Sequence, residues 1–278
     1  MDIQKQWLAP AKINLFLRIT KRRDDGMHEL QTAFQFLDFC DHLQFQIRSD
    51  AQIRRVNSIL GVLEQDDLCV KAAKLFQQTA GITQGVDITV SKQIPMGGGL
   101  GGASSNAATT LIALNNLWST HFSEDELAEL GQSLGADVPV FIRGRAAWAE
   151  GVGEQLTPID MEEPWYLVIN PNIHVSTAEM FAHLQLTRNS PKLTICPPKP
   201  GEFENVFEPL AREKYSKINS VFEWLSQHSR PFLTGTGACV IAAFANKGSA
   251  VEIQSRCPEG VTAYIAQGKN TSPLKSQL

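Results

Sequence analysis

Basic charge is in short supply in this 278-residue chain: 25 Lys and Arg stand against 29 Asp and Glu, for a formal net charge of −4. A nucleic-acid footprint normally shows as a basic face, so that class of partner is disfavoured. Cysteine is also sparse. Cys40, Cys69, Cys196, Cys239 and Cys257 are odd in number, widely spaced and never form a C-x-x-C pair. They read as reduced cytoplasmic thiols and not as a disulfide or zinc framework. The six histidines include no His-Glu-x-x-His pattern, so spacing marks no dedicated metal site. The longest apolar run, Ala238–Ala245, is far too short to cross a bilayer. The opening Met1-Asp2-Ile3-Gln4-Lys5-Gln6 lacks a signal peptide's apolar core, so a cytoplasmic protein without a membrane partner is expected. Repeats and low-complexity tracts are missing too. What is present is an ordinary globular composition, 43% hydrophobic and 19% charged, in a chain suited to one large or two ordinary domains.

The most informative stretch is Pro95-Met96-Gly97-Gly98-Gly99-Leu100-Gly101-Gly102-Ala103-Ser104-Ser105-Asn106, with five glycines between positions 97 and 102. Glycine tolerates φ > 0 and lets backbone N–H groups approach a ligand. Behind it Ala107, Leu111, Leu114 and Trp118 recur at helical spacing, predicting an amphipathic helix. Ser104 and Ser105 fall at its start, where unpaired N–H groups and the dipole attract phosphate. A glycine turn can be purely structural, but five in six positions exceed what a turn needs. Gly97, Gly99 and Gly102 satisfy G-x-G-x-x-G. Even so, Pro95 interrupts the preceding strand run and no strand-end acid follows the helix, against a Rossmann site. No Lys-Ser or Lys-Thr follows the glycines, which excludes a P-loop.

Around this loop the pattern alternates strands and helices. Ala11–Thr20 reads as a strand with Ile13, Leu15 and Leu17 on one face and Lys12, Asn14 and Phe16 on the other. Lys12 and Asn14 are either solvated or the polar floor of a site. Strands are predicted at Gln31–Leu37 and Leu43–Arg48, joined across Asp38–His42. Asp66 or Asp67 caps a helix running to Gln78 with a Leu68, Ala72, Leu75 stripe. Val86–Val90 is a strand, Ser123 and Glu126 form a capping box, and Asp137, ahead of Pro139, resembles a helix N-cap. Strands at Ala146–Glu150 and Glu154–Pro158 precede an acid- and proline-rich boundary at Pro158–Pro164. Beyond it come a Trp165–Ile169 strand, a Ser176–Leu184 helix and a Pro191–Gly201 loop. An Ala211–His228 helix, a glycine turn into a strand over Leu233–Phe244, a Val251–Arg256 helix and a Thr262–Gln267 strand complete the chain. The expected class is α+β, with two domains at 1–160 and 161–278.

Four spaced segments, Pro10-Ala11-Lys12-Ile13-Asn14, Pro95–Ala108, Leu134-Gly135-Ala136-Asp137-Val138-Pro139 and Leu233-Thr234-Gly235-Thr236-Gly237, resemble the galactokinase, homoserine kinase, mevalonate kinase and phosphomevalonate kinase (GHMP kinase) superfamily. The resemblance runs nearly end to end. It implies an N-terminal ribosomal-S5-like domain, a C-terminal ferredoxin-like domain and ATP-dependent phosphorylation of an alcohol, with Mg²⁺. Its nearest branch acts on the 2-hydroxyl of diphosphocytidyl methylerythritol; homoserine or mevalonate is the alternative small-molecule substrate. Carried over, Lys12 and Asp137 are the catalytic pair, and Pro95–Ser105 wraps the phosphates. Lys92, Leu68 and Asn106 surround the adenosine. Asn14, His28, Met27, Phe34, Val152, Thr177 and Phe181 hold the substrate, with Phe181 stacked on cytosine. Any of Ser104, Ser105 or Asp137 is a candidate Mg²⁺ ligand, and a monomer or weak homodimer is expected. Two positions depart from the family pattern. Met27 replaces a common tyrosine, which predicts a weaker cytidine grip. Asp67 replaces an asparagine, so it can touch a base only as an acceptor.

Overall fold

The computed structural model describes residues 5–183, 186–198, 202 and 204–278. Strand β1 (Trp7–Arg22) runs antiparallel to β2 (His28–Arg48), and their register, from Trp7↔Leu43 to Arg22↔His28, spans the length of β1. The expected break at Asp38–His42 does not occur. β2 is one 21-residue strand, because its polar residues are partnered in place instead of turning the chain. The Asp41 carboxylate accepts N–H bonds from Gln93 and Ile94, and Asp38 accepts one from Gln267.

The short β3 (Ile53–Arg55), missed in the sequence because it carries two arginines and no alternation, pairs parallel with β4 (Gly85–Ser91). Between them lies α1 (Leu68–Thr79), capped by the Asp67 side chain as expected. Its buried residues are Cys69, Val70, Ala72, Ala73 and Phe76, so that of the predicted Leu68, Ala72, Leu75 stripe only Ala72 is buried. Helix α2 (Gly102–Leu117) is also less amphipathic than its pattern suggests, for Ser105 through Leu114 are all buried. It is packed by β1, α1, α3 (Glu124–Leu134) and α4 (Val138–Arg143), which explains its run of Ala and Thr. The Ser123–Glu126 capping box forms as predicted. Strands β5 (Ala147–Glu150) and β6 (Gln155–Pro158) then pair, β5 lying also on β2.

The second half contains β7 (Trp165–Asn170), α5 (Thr177–Ala182), α6 (Glu208–Lys214), α7 (Ser216–Leu225), β8 (Pro231–Leu233), β9 (Val240–Phe244), α8 (Lys247–Gln254) and β10 (Thr262–Lys269). Leu184, closing the expected fifth helix, and residues 199–201 of the expected proline-rich loop lie outside the described residues. The single helix predicted over Ala211–His228 is two, broken where Tyr215 is extended at φ −124°. The next helix begins at Lys247, not Val251, because Asn246 caps it through the Ser249 N–H. Strand order β10-β7-β9-β8 with helices between is the split βαβ arrangement of ferredoxin-like folds. Both halves share one sheet, joined where Gly268 and Lys269 of β10 pair with Leu37 and Phe36 of β2. A core of Ile13, Phe16, Trp148, Tyr166, Phe232 and Ile241 bridges that seam. The class is α+β, as expected. No helix among the described residues is long and apolar enough to cross a membrane.

Candidate active site

A cavity of about 620 Å³ runs along the junction, between the β1–β2 ribbon, the start of α2, α5 and the Gly235–Thr236 turn. Its floor is polar. Strand alternation puts Lys12 and Asn14 on one face, and both are buried. The Lys12 ammonium donates to Asn14 Oδ1 at 2.6 Å, and the Asn14 amide donates to Thr32 Oγ1 at 2.9 Å. The Thr32 hydroxyl in turn donates to the Phe16 carbonyl. Every donor in this relay has an acceptor, as a buried polar chain requires. On its other side Lys12 Nζ lies 3.2 Å from Asp137 Oδ2. The predicted cap role of Asp137 fails: it occupies the N-cap position of α4, yet its side chain bonds no helix N–H. That carboxylate faces the cavity and the lysine.

The glycine loop is built by alternation. Gly97, Gly99 and Gly101 have φ of 68°, 76° and 70°, left-handed values that other residues adopt at a cost of about 1–2 kcal/mol each. Its carbonyls are tied outward. Gly97 and Gly98 accept from the Ala238 and Cys239 N–H groups, Gly99 from the Thr234 hydroxyl, and Leu100 from the Lys12 N–H. A planar trans peptide points its N–H opposite its carbonyl, so this tethering turns the following N–H groups away from those partners. They meet the N-terminus of α2, where the side-chain oxygens of Ser105 and Asn106 are buried without a protein partner. Buried polar atoms left unpaired cost energy; Asn106, which lines the cavity, offers its Oδ1 to a cation or a donor, while Ser105 lies behind the lining. Lys92 completes this end. Its ammonium pairs with the fully buried Asp41 and lies beside Gly102, where a Cβ would approach it to 3.2 Å. A Gly99→Ala variant is expected to raise the KM for ATP about tenfold or more, since its methyl would strike the Thr234 carbonyl and its φ is strained. Steady-state titration of ATP checks this.

At the opposite end the rings of His28 and Phe181 lie with centroids 5.2 Å apart and planes tilted by 40°, and Phe207 meets Phe181 edge-on at 4.8 Å. Thr177 and Thr236 share a hydroxyl bond of 3.0 Å. Arg188, which sequence reading missed, donates to His28 Nε2 and to the Phe181 and His183 carbonyls. Burial, then Arg188, then Arg22 push the His28 pKa below its ordinary value. The neutral ring is therefore held to lower pH than in a free histidine, whose pKa is about 6.5, and substrate KM should change less between about pH 7.5 and about pH 6 than titration of a free histidine would cause. A several-fold rise over that interval would show His28 protonating.

The cavity gathers most predicted residues: Lys12, Asn14, Phe34, Leu68, Lys92, Asn106, Asp137, Val152, Thr177, Phe181 and the loop from Pro95 to Ser104. Ser105 sits fully buried behind it, and His28 touches it through Phe181. Met27 is half exposed on the β1–β2 turn and outside the lining. Reading the sequence missed Thr32, Ile59, Val62, Gly235 and Thr236, of which only the two in the late glycine turn carried a local signal. Among the described residues no group of three or more His, Cys, Asp or Glu side chains could hold a metal.

The family model described as GHMP kinases N terminal domain matches residues 67–145, and that described as GHMP kinases C terminal matches 199–262. This chain belongs to the GHMP kinase family. Among GHMP kinases, the 4-diphosphocytidyl-2-C-methyl-D-erythritol kinase of Pseudomonas paraeruginosa is 50% identical over 278 residues, covering 100% of this chain and 99% of the relative. The enzyme of the same name from Shewanella denitrificans is 48% identical over 277 residues, covering 99% and 98%. A crystal structure of 4-(cytidine 5'-diphospho)-2C-methyl-D-erythritol kinase superposes with a TM-score of 0.83 at 29% identity, over 95% of this chain and 99% of that one. Homoserine kinase from Cytophaga hutchinsonii shares the GHMP kinase fold, with a TM-score of 0.70 at 14% identity over 98% and 97% of the chains.

Proposed function

We propose that this chain transfers the γ-phosphoryl group of ATP to the 2-hydroxyl of 4-diphosphocytidyl-2-C-methyl-D-erythritol, a step towards isoprenoid precursors. The observation that carries the reading is the Lys12–Asp137 contact of 3.2 Å on the floor of a cavity with a glycine loop at one end and aromatic rings at the other. Phosphoryl transfer passes through a loose transition state, so the protein mainly positions and stabilises charge. The loop N–H groups hold the phosphates, and Lys12 neutralises charge on the transferring group. Asp137 orients the hydroxyl and receives its proton as bonding to phosphorus develops. Lys92, Leu68 and Asn106 hold the adenosine. Phe181, with His28 behind it, stacks the cytosine, and Asn14, Phe34, Val152 and Thr177 shape the space between. Ser104 and Asp137, which line the cavity, suit Mg²⁺ arriving with the nucleotide, which would supply further charge neutralisation when bound. The reading includes units at 1–160 and 161–278 acting together, as a cytoplasmic monomer or weak homodimer.

Homoserine and mevalonate lack a base to stack, and the aromatic end of the cavity favours the cytidine substrate over both. The test is ADP release with each alcohol in turn. Turnover with the diphosphocytidyl compound, and a product whose ³¹P spectrum carries a new phosphomonoester, supports the assignment. Preference for homoserine or mevalonate would overturn it.

A further inference from the structure

One wall of the cavity is held only lightly by the hydrophobic core, through Ile59. It is the excursion between β3 and α1, which contributes Ile59, Val62, Asp66 and Asp67 to the lining, while Val56, Leu60 and Leu63 are 57%, 91% and 66% exposed. A segment that buries so little apolar surface needs another anchor. The anchor is Arg55. Its side chain is only 5% exposed, and all three of its nitrogens bond within the excursion. Nε donates to the Asn57 carbonyl at 2.9 Å, Nη2 to the Val62 carbonyl at 2.8 Å and Nη1 to Asp67 Oδ2 at 2.6 Å. Asp67, itself buried, uses Oδ1 to cap α1 through the Cys69 N–H. Asn57 carries the chain back to β4 by exchanging two bonds with the Val90 backbone. The guanidinium is thus the hub around which the Ile59–Val62 turn closes against the start of α1. Only a planar fork with donors in several directions fits such a hub.

We propose that Arg55 is a positioning residue for the nucleobase of ATP: through Asp67 and the Val62 carbonyl it sets the wall that the base packs against. This rests on the reading that adenosine occupies the Leu68–Lys92 end of the cavity. Arg55 touches neither substrate, and the carboxylate at position 67, both of whose oxygens already accept bonds, acts as its counterion.

The test uses the full chain and three measurements, on wild type, Arg55→Met and the Arg55→Met/Asp67→Asn double variant. They are KM for ATP against KM for the alcohol, inhibition by inorganic tripolyphosphate, and Tm. Arg55→Met should raise KM for ATP about tenfold, the equivalent of one or two lost hydrogen bonds, with kcat down less than about threefold and KM for the alcohol unmoved. It should also lower Tm by about 10 °C, since it strands a buried carboxylate. The double variant removes that stranded charge and should recover most of the Tm, yet keep the raised KM for ATP. Tripolyphosphate, which engages only the glycine loop, should inhibit all three proteins equally. Recovery of KM together with Tm would overturn the proposal by reducing Arg55 to a charge balance. Equal weakening of tripolyphosphate would overturn it by placing the effect at the phosphates. Wild type that fails to use ATP at all would instead refute the kinase reading beneath it.

Discussion

Replacing Asp137 by asparagine should lower turnover by roughly 10²-fold or more, the scale of a lost general base, while folding and ATP affinity persist. The structure gives this result its sharpness. Asp137 stands at the head of α4 without bonding any helix N–H, so the usual cost of about 1 kcal/mol for losing a side-chain cap does not apply. Asparagine has the same shape and still reaches Lys12, but it cannot take a proton from the substrate hydroxyl. Three measurements decide: kcat, the ATP dissociation constant and Tm. Near-normal turnover would leave Asp137 a role only in shaping the turn before α4.

Lys12→Met should cost turnover on a similar or larger scale, about 10²- to 10³-fold, while leaving Tm within a few degrees or higher. Lys12 is 4% exposed, and burying an ammonium is costly even when it is paired. Its partners are Asn14 Oδ1 at 2.6 Å, Asp137 at 3.2 Å and the Phe34 ring at 5.0 Å. Methionine fills nearly the same volume without the charge, and Asp137 keeps access to water because its side chain is 34% exposed. Stability and activity should therefore part company, as they do where a site is maintained for chemistry. Calorimetry beside a turnover assay checks it. A collapse of Tm matching the loss of activity would make the lysine structural.

The parts of the site legible in the sequence were those that signal locally. The glycine loop, the start of α2, the α1 cap and the Lys12–Asn14 pair each announce themselves within a few residues. What brings Lys12 to Asp137 does not, for the two are brought together by the packing of α2 against both β1 and α4. The same holds for the groups that hold the machinery still. Thr234 bonds both Asn14 and Gly99, Arg188 bonds His28, and Asp41 bonds the segment before the loop. Nothing near these residues in sequence hints at the partner. The mistaken break in β2 has the same cause: Asp38 and Asp41 look like turn residues until the distant N–H groups they accept are known. Helix lengths were misjudged where a single backbone choice decides, as at the extended Tyr215 that separates α6 from α7.

The outward tethering of the glycine loop has a thermodynamic consequence. Its carbonyls are gripped by Ala238, Cys239 and Thr234 from one half of the molecule and by Lys12 from the other. A nucleotide bound to this loop is therefore bound only while both halves remain docked, and the half-unfolded chain loses its affinity. By mass action the ligand then stabilises the intact molecule against partial opening as well as against full unfolding, by about 2.7 kcal/mol at a hundredfold excess over Kd. Heating with ATP should merge any separate melting of the halves into one sharper transition at higher temperature, and amide exchange should slow on both sides of the β2–β10 seam together.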